Sequence, residues 1–355
     1  MRVLGRYLGN ELTLGVAMIL MALIAIAYFV TFASEMGHVG ERDFTTTTAV
    51  FYVLLKMPRI VHEMLPVALL IGGMFAFGGL AASNELTIMR ATGASVLGLL
   101  WKLRKMGYLL LLVAIINMEW VVPYAEKSAK VMKATALHQS IVEFSGEAFW
   151  LKDGDYFVRM DTVGNDGAVA GVEWMEIPEA GELSRFSYAE RAHHKMGQWN
   201  MEKIRTTLLT GTEAQSEELE AMSHKSSISG DFVRLASRTP DDLSTLDLFY
   251  YSRFLERSGI DSNRYWHTFW ERIAAPFTLL VMVILALPFS VTEGRSLTAG
   301  KRVVLGAMLG IGIYLVNRVL LNTGEIYHLN PVVTAFAVPL LALTLALWLI
   351  RKRGL

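Results

Sequence analysis

Residues Leu80–Gly93, LAASNELTIMRATG, lie between two long apolar segments yet carry the signals of a complete short helix. Ser83 is placed to cap its N-terminus, Glu85 sits in the first turn, Arg90 near the end, and Gly93 where the helix should stop. At about 100° per residue, Glu85, Ile88, Met89 and Thr92 share one face, with Leu86 and Arg90 beside it. The stretch predicts a helix over 83–93 held between two membrane spans. Such a helix either docks into a groove on a soluble partner or lies as an ordinary loop on the bilayer surface.

Composition supports the membrane setting. Of 355 residues, 53% are hydrophobic and 19% charged, with zero formal net charge. That is too apolar for a soluble chain of this length and points to several spans plus a water-facing part. Cysteine is absent, which excludes disulfides, thiolate metal sites and a Cys nucleophile. The N-terminal apolar run is too long for a cleavable signal peptide and is expected to stay as the first span.

Outward from the short helix, the spans read Leu12–Phe32, Met64–Ala82, Met106–Val122, Ile273–Phe289, Val303–Val319 and Pro331–Ile350. Leu12–Phe32, 21 residues with no charge among them, is long enough to cross a hydrocarbon core of about 30 Å. The second is entered through Pro58 and Pro66 and is rich in glycine, as closely packed membrane helices are. Between the third and fourth spans the character changes. Short alternating runs such as YFVRM and AVAGVEWMEI are separated by turn signals at Asp153-Gly154, Asp166-Gly167 and Met196-Gly197. They predict an all-β domain, a sandwich or jelly roll. Glu213–Gly230, rich in Glu and Ser, reads as a mobile loop. Ser244 and Asp247 form a capping-box-like start for a helix through Leu255, and Asp261 caps the next.

The expected fold is therefore an α-helical membrane protein of six transmembrane helices, with an extracytoplasmic, jelly-roll-like all-β domain inserted between helices 3 and 4. Its expected parts are 1–123 (three spans and the helix 83–93), 124–243 (the β-domain) and 244–355 (connecting helices and three spans). Charge sets the orientation. With both termini inside, the short cytoplasmic stretches hold twelve Lys/Arg against three acids, whereas 124–267 holds 16 basic and 23 acidic residues. By the positive-inside rule the β-domain lies outside.

Catalytic signatures are missing: H-E-x-x-H, G-x-S-x-G and G-x-G-x-x-G do not occur. The nearest approach to a phosphate loop, Gly294 to Lys301, has one residue too many, and Arg302 stands where Ser or Thr should hold magnesium. The chain is expected to bind no cofactor and to be no enzyme, with any energy coming from a partner. No carboxylate falls mid-span, which argues against a proton- or sodium-driven carrier. Arg318, in the outer half of the fifth span, reads either as snorkelling to the interface or as lining a substrate path. Lys127, Lys130 and Lys133 recur every three residues beyond the third span; on a helix they form a basic stripe, suited to an anionic headgroup or merely solvated. Gly306-x-x-x-Gly310 marks close helix packing, in a gate or in a static bundle.

These features together resemble the LptF/LptG family, the six-span permeases of the bacterial lipopolysaccharide export ABC transporter. The resemblance is carried by LAASNELTIMRATGAS, EWVVPYAEKSAKVMKA, GEAFWLKDGDYFVRM, LSTLDLFYYSRFLERSGID and LTAGKRVVLGAMLGIGIYLV, in that order, and leans to the LptG branch. It implies a sister permease, LptF, and a cytoplasmic ATPase dimer docked on coupling helices, with ATP and magnesium on the ATPase. The matching docking residues are Ser83, Glu85, Leu86, Ile88, Met89 and Arg90. It further implies lipopolysaccharide taken from the outer leaflet of the inner membrane, gates built from the first and fifth spans, and delivery through the bridge proteins LptC and LptA, with no nucleic acid involved. Lys130, Lys133 and Arg302 match basic positions that face lipid phosphates. At the outer end of the first span, where LptG members can carry lysines, this chain reads TFASEMGHVGE, leaving His38 as the one candidate. A permease for another amphiphile or lipoprotein, and a non-transporting membrane scaffold, are the alternatives.

The orientation is checked directly, because any introduced cysteine is unique. Glu217→Cys in intact spheroplasts is expected to react with a membrane-impermeant maleimide; labelling only after lysis would place the β-domain in the cytosol.

Overall fold

The computed structural model describes residues 2–91, 98, 101, 103–137, 149–153, 156–164, 168–177, 184–195, 198–210, 213–225, 230, 233, 239–240, 243–257, 261–293 and 299–352. They form two compact units: Met1–Val39, Ala49–Glu126 and Trp266–Leu355 make one, Gly40–Thr48 and Lys127–Tyr265 the other.

The first unit is a helical bundle. Its helices are α1 (Arg2–Glu35), α2 (Thr46–Ala82), the short α3 (Glu85–Ala91), α4 (Arg104–Ile116), α7 (Asn263–Glu293), α8 (Ala299–Ile326) and α9 (Pro331–Lys352). A π-helical turn, Asn117–Val121, joins α4 to α5 (Val122–Ala136). Six of these segments are long and apolar enough to cross a membrane. In the most apolar window of each, 78% of α2 is buried, against 6% for α1 and 11% for α8. α2 is therefore the bundle's centre, and α1 and α8 keep broad apolar faces turned outward.

α2 also starts earlier than expected. The prolines at 58 and 66 were read as the way into a span beginning at Met64, but the helix runs unbroken through both from Thr46. Thr45 caps it, accepting the Thr48 N–H at 3.2 Å. A proline removes the helical donor to the carbonyl four residues before it, which for Pro58 is that of Leu54; the Asn117 amide donates instead to the Pro58 carbonyl itself at 2.8 Å, a cross-link between α2 and the π-helical turn.

Glycines set the helix crossings. A Cβ on Gly72 would fall 2.6 Å from Val16 Cα, and one on Gly15 2.7 Å from the Gly72 carbonyl oxygen, so the α1 and α2 backbones touch. One turn along, Gly306 of α8 lies against Ile71 and Met74, and Gly310 against Val67 and Leu70. Leu8, Leu12 and Val16 of α1 and Leu285 and Ala286 of α7 complete one continuous core with α2.

The second unit holds a six-stranded antiparallel sheet: β1 (Phe149–Asp153), β2 (Tyr156–Val163), β3 (Ala168–Glu176), β4 (Arg185–Lys195), β5 (Gln198–Thr210) and β6 (Glu213–Lys225). Every strand pairs with its sequence neighbour, so the order among the described residues is an up-and-down meander without Greek-key crossovers. Pairs such as Asp153↔Tyr156 and Lys195↔Gln198 join adjacent strands antiparallel on either side of the Asp153-Gly154 and Met196-Gly197 signals, whose intervening residues lie outside the described ones. β6 corrects the loop expected over Glu213–Gly230. It pairs with β5 from Gln198↔Lys225 to Thr210↔Glu213, and one of its glutamates, Glu218, meets Arg205 of β5 at 3.0 Å. Charge on an edge strand discourages further pairing, which is why its composition mimics a disordered segment.

One column of residues interrupts the alternation in several strands. Gly171 and Lys203 adopt φ of 68° and 53°, and a Cβ on Gly171 would lie 2.5 Å from Asp161. On β3 the buried set shifts from Val169 to Val172 and Trp174, on β4 from Ala189 to Ala192, and on β5 from Met201 to Ile204. That one-residue shift lets both halves of the sheet face a single core. Lys203 donates to Glu190 at 2.7 Å across the column, and this bond holds the Glu190 carboxyl below the usual range.

The sheet is followed by α6 (Thr245–Arg257), opened by the reciprocal cap read from sequence. The Asp247 N–H donates to Ser244 Oγ at 3.1 Å and the Ser244 N–H to Asp247 at 3.4 Å.

Gly72→Val forces apart two backbones in contact and is expected to destabilise the bundle by about 1–3 kcal/mol or more. Gly312→Ala meets no neighbour within 4 Å and should leave thermal stability in detergent unchanged.

Candidate functional site

The predicted docking helix exists as α3, which begins at Glu85, two residues later than expected, and is described to Ala91. Its seven residues are too few to persist alone, so neighbours must hold it. Leu86 is 2% exposed and Met89 is partly buried, both against the bundle core. Ile88, in contrast, is 62% exposed. The single face expected from Glu85, Ile88 and Met89 is thus divided between an inward anchor and an outward ridge. The side chain of Arg90, and Thr92 and Gly93 altogether, lie outside the described residues.

Ser83 does not cap the helix. Its hydroxyl lies 3.2 Å from the Leu80 carbonyl and 3.0 Å from the Glu85 carboxylate. The chain turns at Asn84, whose φ of 60° lies in the left-handed region. The second Glu85 oxygen accepts a 2.8 Å bond from the Tyr7 hydroxyl of α1. Sequence reasoning missed Tyr7, because nothing local links residues so far apart in the chain. Tyr7, Glu11, Gly15, Phe75, Ser83 and Glu85 are among the residues lining a cavity of about 190 Å³ beside α3.

The other expected site residues fall elsewhere. Lys127, Lys130 and Lys133 do lie on one helix, α5, as a stripe. Lys127 is exposed, while Lys130 and Lys133 are half-buried, and Lys130 donates to Thr239 Oγ1 at 3.3 Å. Arg302 begins α8, its side chain outside the described residues. Gly306 and Gly310 press on α2 as given above. His38 ends a short 3₁₀ turn, Met36–His38, after α1.

A second polar constellation was not anticipated. At the end of the bundle opposite α3, Arg59 and Glu63 of α2, Glu126 of α5, Glu271 of α7 and Arg318 of α8 form a chain of ion pairs. Arg318, expected to snorkel or to line a path, instead places its two terminal nitrogens 3.3 Å from Glu271 and 3.8 Å from Glu63.

Six apolar helices, an inserted antiparallel sheet and a braced inter-span helix define a multi-pass membrane protein of the permease kind. The chain belongs to the lipopolysaccharide export system permease LptF/LptG family, which it matches over residues 6–352. It is 27% identical to the lipopolysaccharide export system permease protein LptG of Haemophilus influenzae, over 99% of this chain and 98% of that one. It is also 27% identical to the LptG of Escherichia coli K12, over 99% of each.

Leu86→Ala empties the anchor under α3, a change of the kind that costs about 2–5 kcal/mol in a packed core. Hydrogen exchange over residues 85–91 should accelerate strongly, whereas Ile88→Ala should leave it unchanged.

Proposed function

We propose that this chain is the LptG-type half of a lipopolysaccharide export permease, driven by a separate cytoplasmic ATPase that docks on α3. The observation that carries this reading is the construction of α3: anchored inward by Leu86, its acid held by Tyr7 and Ser83, and its Ile88 left outward. A helix so held passes a push from outside directly into α1 and α2. The excess of Lys and Arg in the short stretches on that side supports a cytoplasmic α3 end and a periplasmic sheet.

Transport then divides among named parts. Lipopolysaccharide enters from the outer leaflet of the inner membrane beside α1 and α8, whose apolar outward faces suit acyl chains and a sister permease, LptF. Lys130 and Lys133, on α5, meet lipid phosphates; Arg302, at the α3-side start of α8, falls on the cytoplasmic side in this orientation and takes no part in that contact. Gly306 and Gly310 let α8, a gate helix, pack closely. The sheet passes the lipid on to the LptC and LptA bridge, and ATP with magnesium stays on the ATPase.

Gentle purification is expected to recover this chain with an ATPase and a sister permease, and Glu85→Ala should loosen the ATPase; an intact, fully active complex after that change would remove the docking role. Photo-crosslinkers at Phe29 and Leu315, both exposed, should capture lipopolysaccharide. Capture of phospholipid alone would favour another cargo.

A further inference from the structure

The ion pairs opposite α3 join helices that lie far apart in sequence. Glu126 is 3.9 Å from Arg59, Arg59 is 3.1 Å from Glu63, and Arg318 reaches both Glu63 and Glu271. Their depth matches. Glu63 lies nineteen residues from the α3 end of α2, and Arg318 nineteen from the start of α8, about 28 Å in each case at about 1.5 Å per residue. That is close to the roughly 30 Å thickness of a hydrocarbon core. The charges stand where the apolar layer ends, and Glu126 is only 5% exposed.

α8 is otherwise held to α2 through Gly306 and Gly310, in its α3-side half. Beyond them Leu321 and Gly324 pack on α7 and α9, against Ala274, His267, Ala335 and Thr334, while Leu315, Val316 and Val319 are exposed; what remains to be supplied at this level is a tie to α2. Only an arginine fits the remaining need, because its fork presents two nitrogens to two carboxylates at once, whereas a lysine presents one point charge. A charge broken from such partners at a membrane boundary is poorly compensated.

We propose that Arg318 is a positioning residue, a staple that fixes the far end of α8 to α2 and α7. At that level α2, α5, α7 and α8 form one body. On the permease reading, α8 is then the fixed post of its gate, and opening comes from whatever faces it. That functional consequence rests on the proposed role; the staple itself does not.

The full chain with its co-purifying partners, in lipid nanodiscs, tests it. Spin labels at Leu54→Cys and Ile326→Cys, both exposed, report the far ends of α2 and α8. Labels at Ala82→Cys and Val304→Cys report the α3-side ends. Arg318→Ala is expected to broaden the far-end distance or shift it by roughly 2 Å or more, the scale of a helix shift, and to leave the near-end distance unchanged. Arg318→Lys should fall between Ala and wild type. An unchanged far-end distance in Arg318→Ala overturns the staple, and so does equal broadening at both ends, which would mark general loss of packing. Neither distance depends on the cargo, so failure of lipopolysaccharide capture leaves this result standing.

Discussion

The contact between the α1 and α2 backbones at Gly15 and Gly72 is the constraint around which the bundle is arranged. Lipid tails are as apolar as leucine, so helices in a bilayer associate through close van der Waals fit rather than through exclusion of water. A fit with main chain against main chain requires that no Cβ stand between, and at Gly72 one would lie 2.6 Å from Val16. Within about two turns of the same helix, Gly73 meets Ala286 of α7, while Ile71, Met74 and Val67 receive Gly306 and Gly310 of α8. Three helices therefore register on one stretch of α2, Val67–Met74. That is why α2 is largely buried from Leu65 to Ala81 while α1 and α8 remain open on their outer sides.

With the middle of the bundle given to close packing, polar side chains gather at its two ends. At one end the carboxylate of Glu85 is shared between Ser83 and Tyr7, and α3 is pinned by Leu86. At the other, Arg318 and Arg59 alternate with three glutamates across four helices. The two ends differ in kind. α3 is short and outward on one side, so it suits an external push. The ion chain links helices to one another and so resists relative motion at its level.

Much of this was legible in the sequence where the signals are local. The six spans follow from runs of apolar residues, the breaks between strands from turn signals, and the caps at Ser244, Asp247 and Asp261 from side chains acting on their own backbone. What escaped depends on distant partners. A second span beginning at Met64 leaves Glu63 just outside it, and the pairing of Glu63 with Arg318, far apart in the chain, has no local signal. Tyr7 reaches Glu85 over 78 residues. β6 was hidden by its own glutamates, one of which, Glu218, meets Arg205 across the ladder. The inward–outward split of α3 was likewise beyond a helical wheel, since periodicity says which residues share a face but not which face meets the bundle.

The division of labour between the two ends bears on how a chain without a nucleotide loop could do work on an amphiphile. A displacement applied at α3 enters α1 through Tyr7 and α2 through the turn at Ser83 and Asn84. The backbone contact at Gly15 and Gly72 lies about three turns further along α2. Above that contact α1 carries the exposed Met18, Met21, Ile26 and Phe29, whereas α2 is tied into the ion chain through Arg59 and Glu63. One push thus meets two unequal loads: a stiff, cross-linked helix and a long apolar one. On the proposed role, the stiffness of the first converts motion at the cytoplasmic end into a change in separation between the second and its surroundings. Acyl chains lodged along that apolar wall would feel the change without any charged group having to cross the layer they occupy.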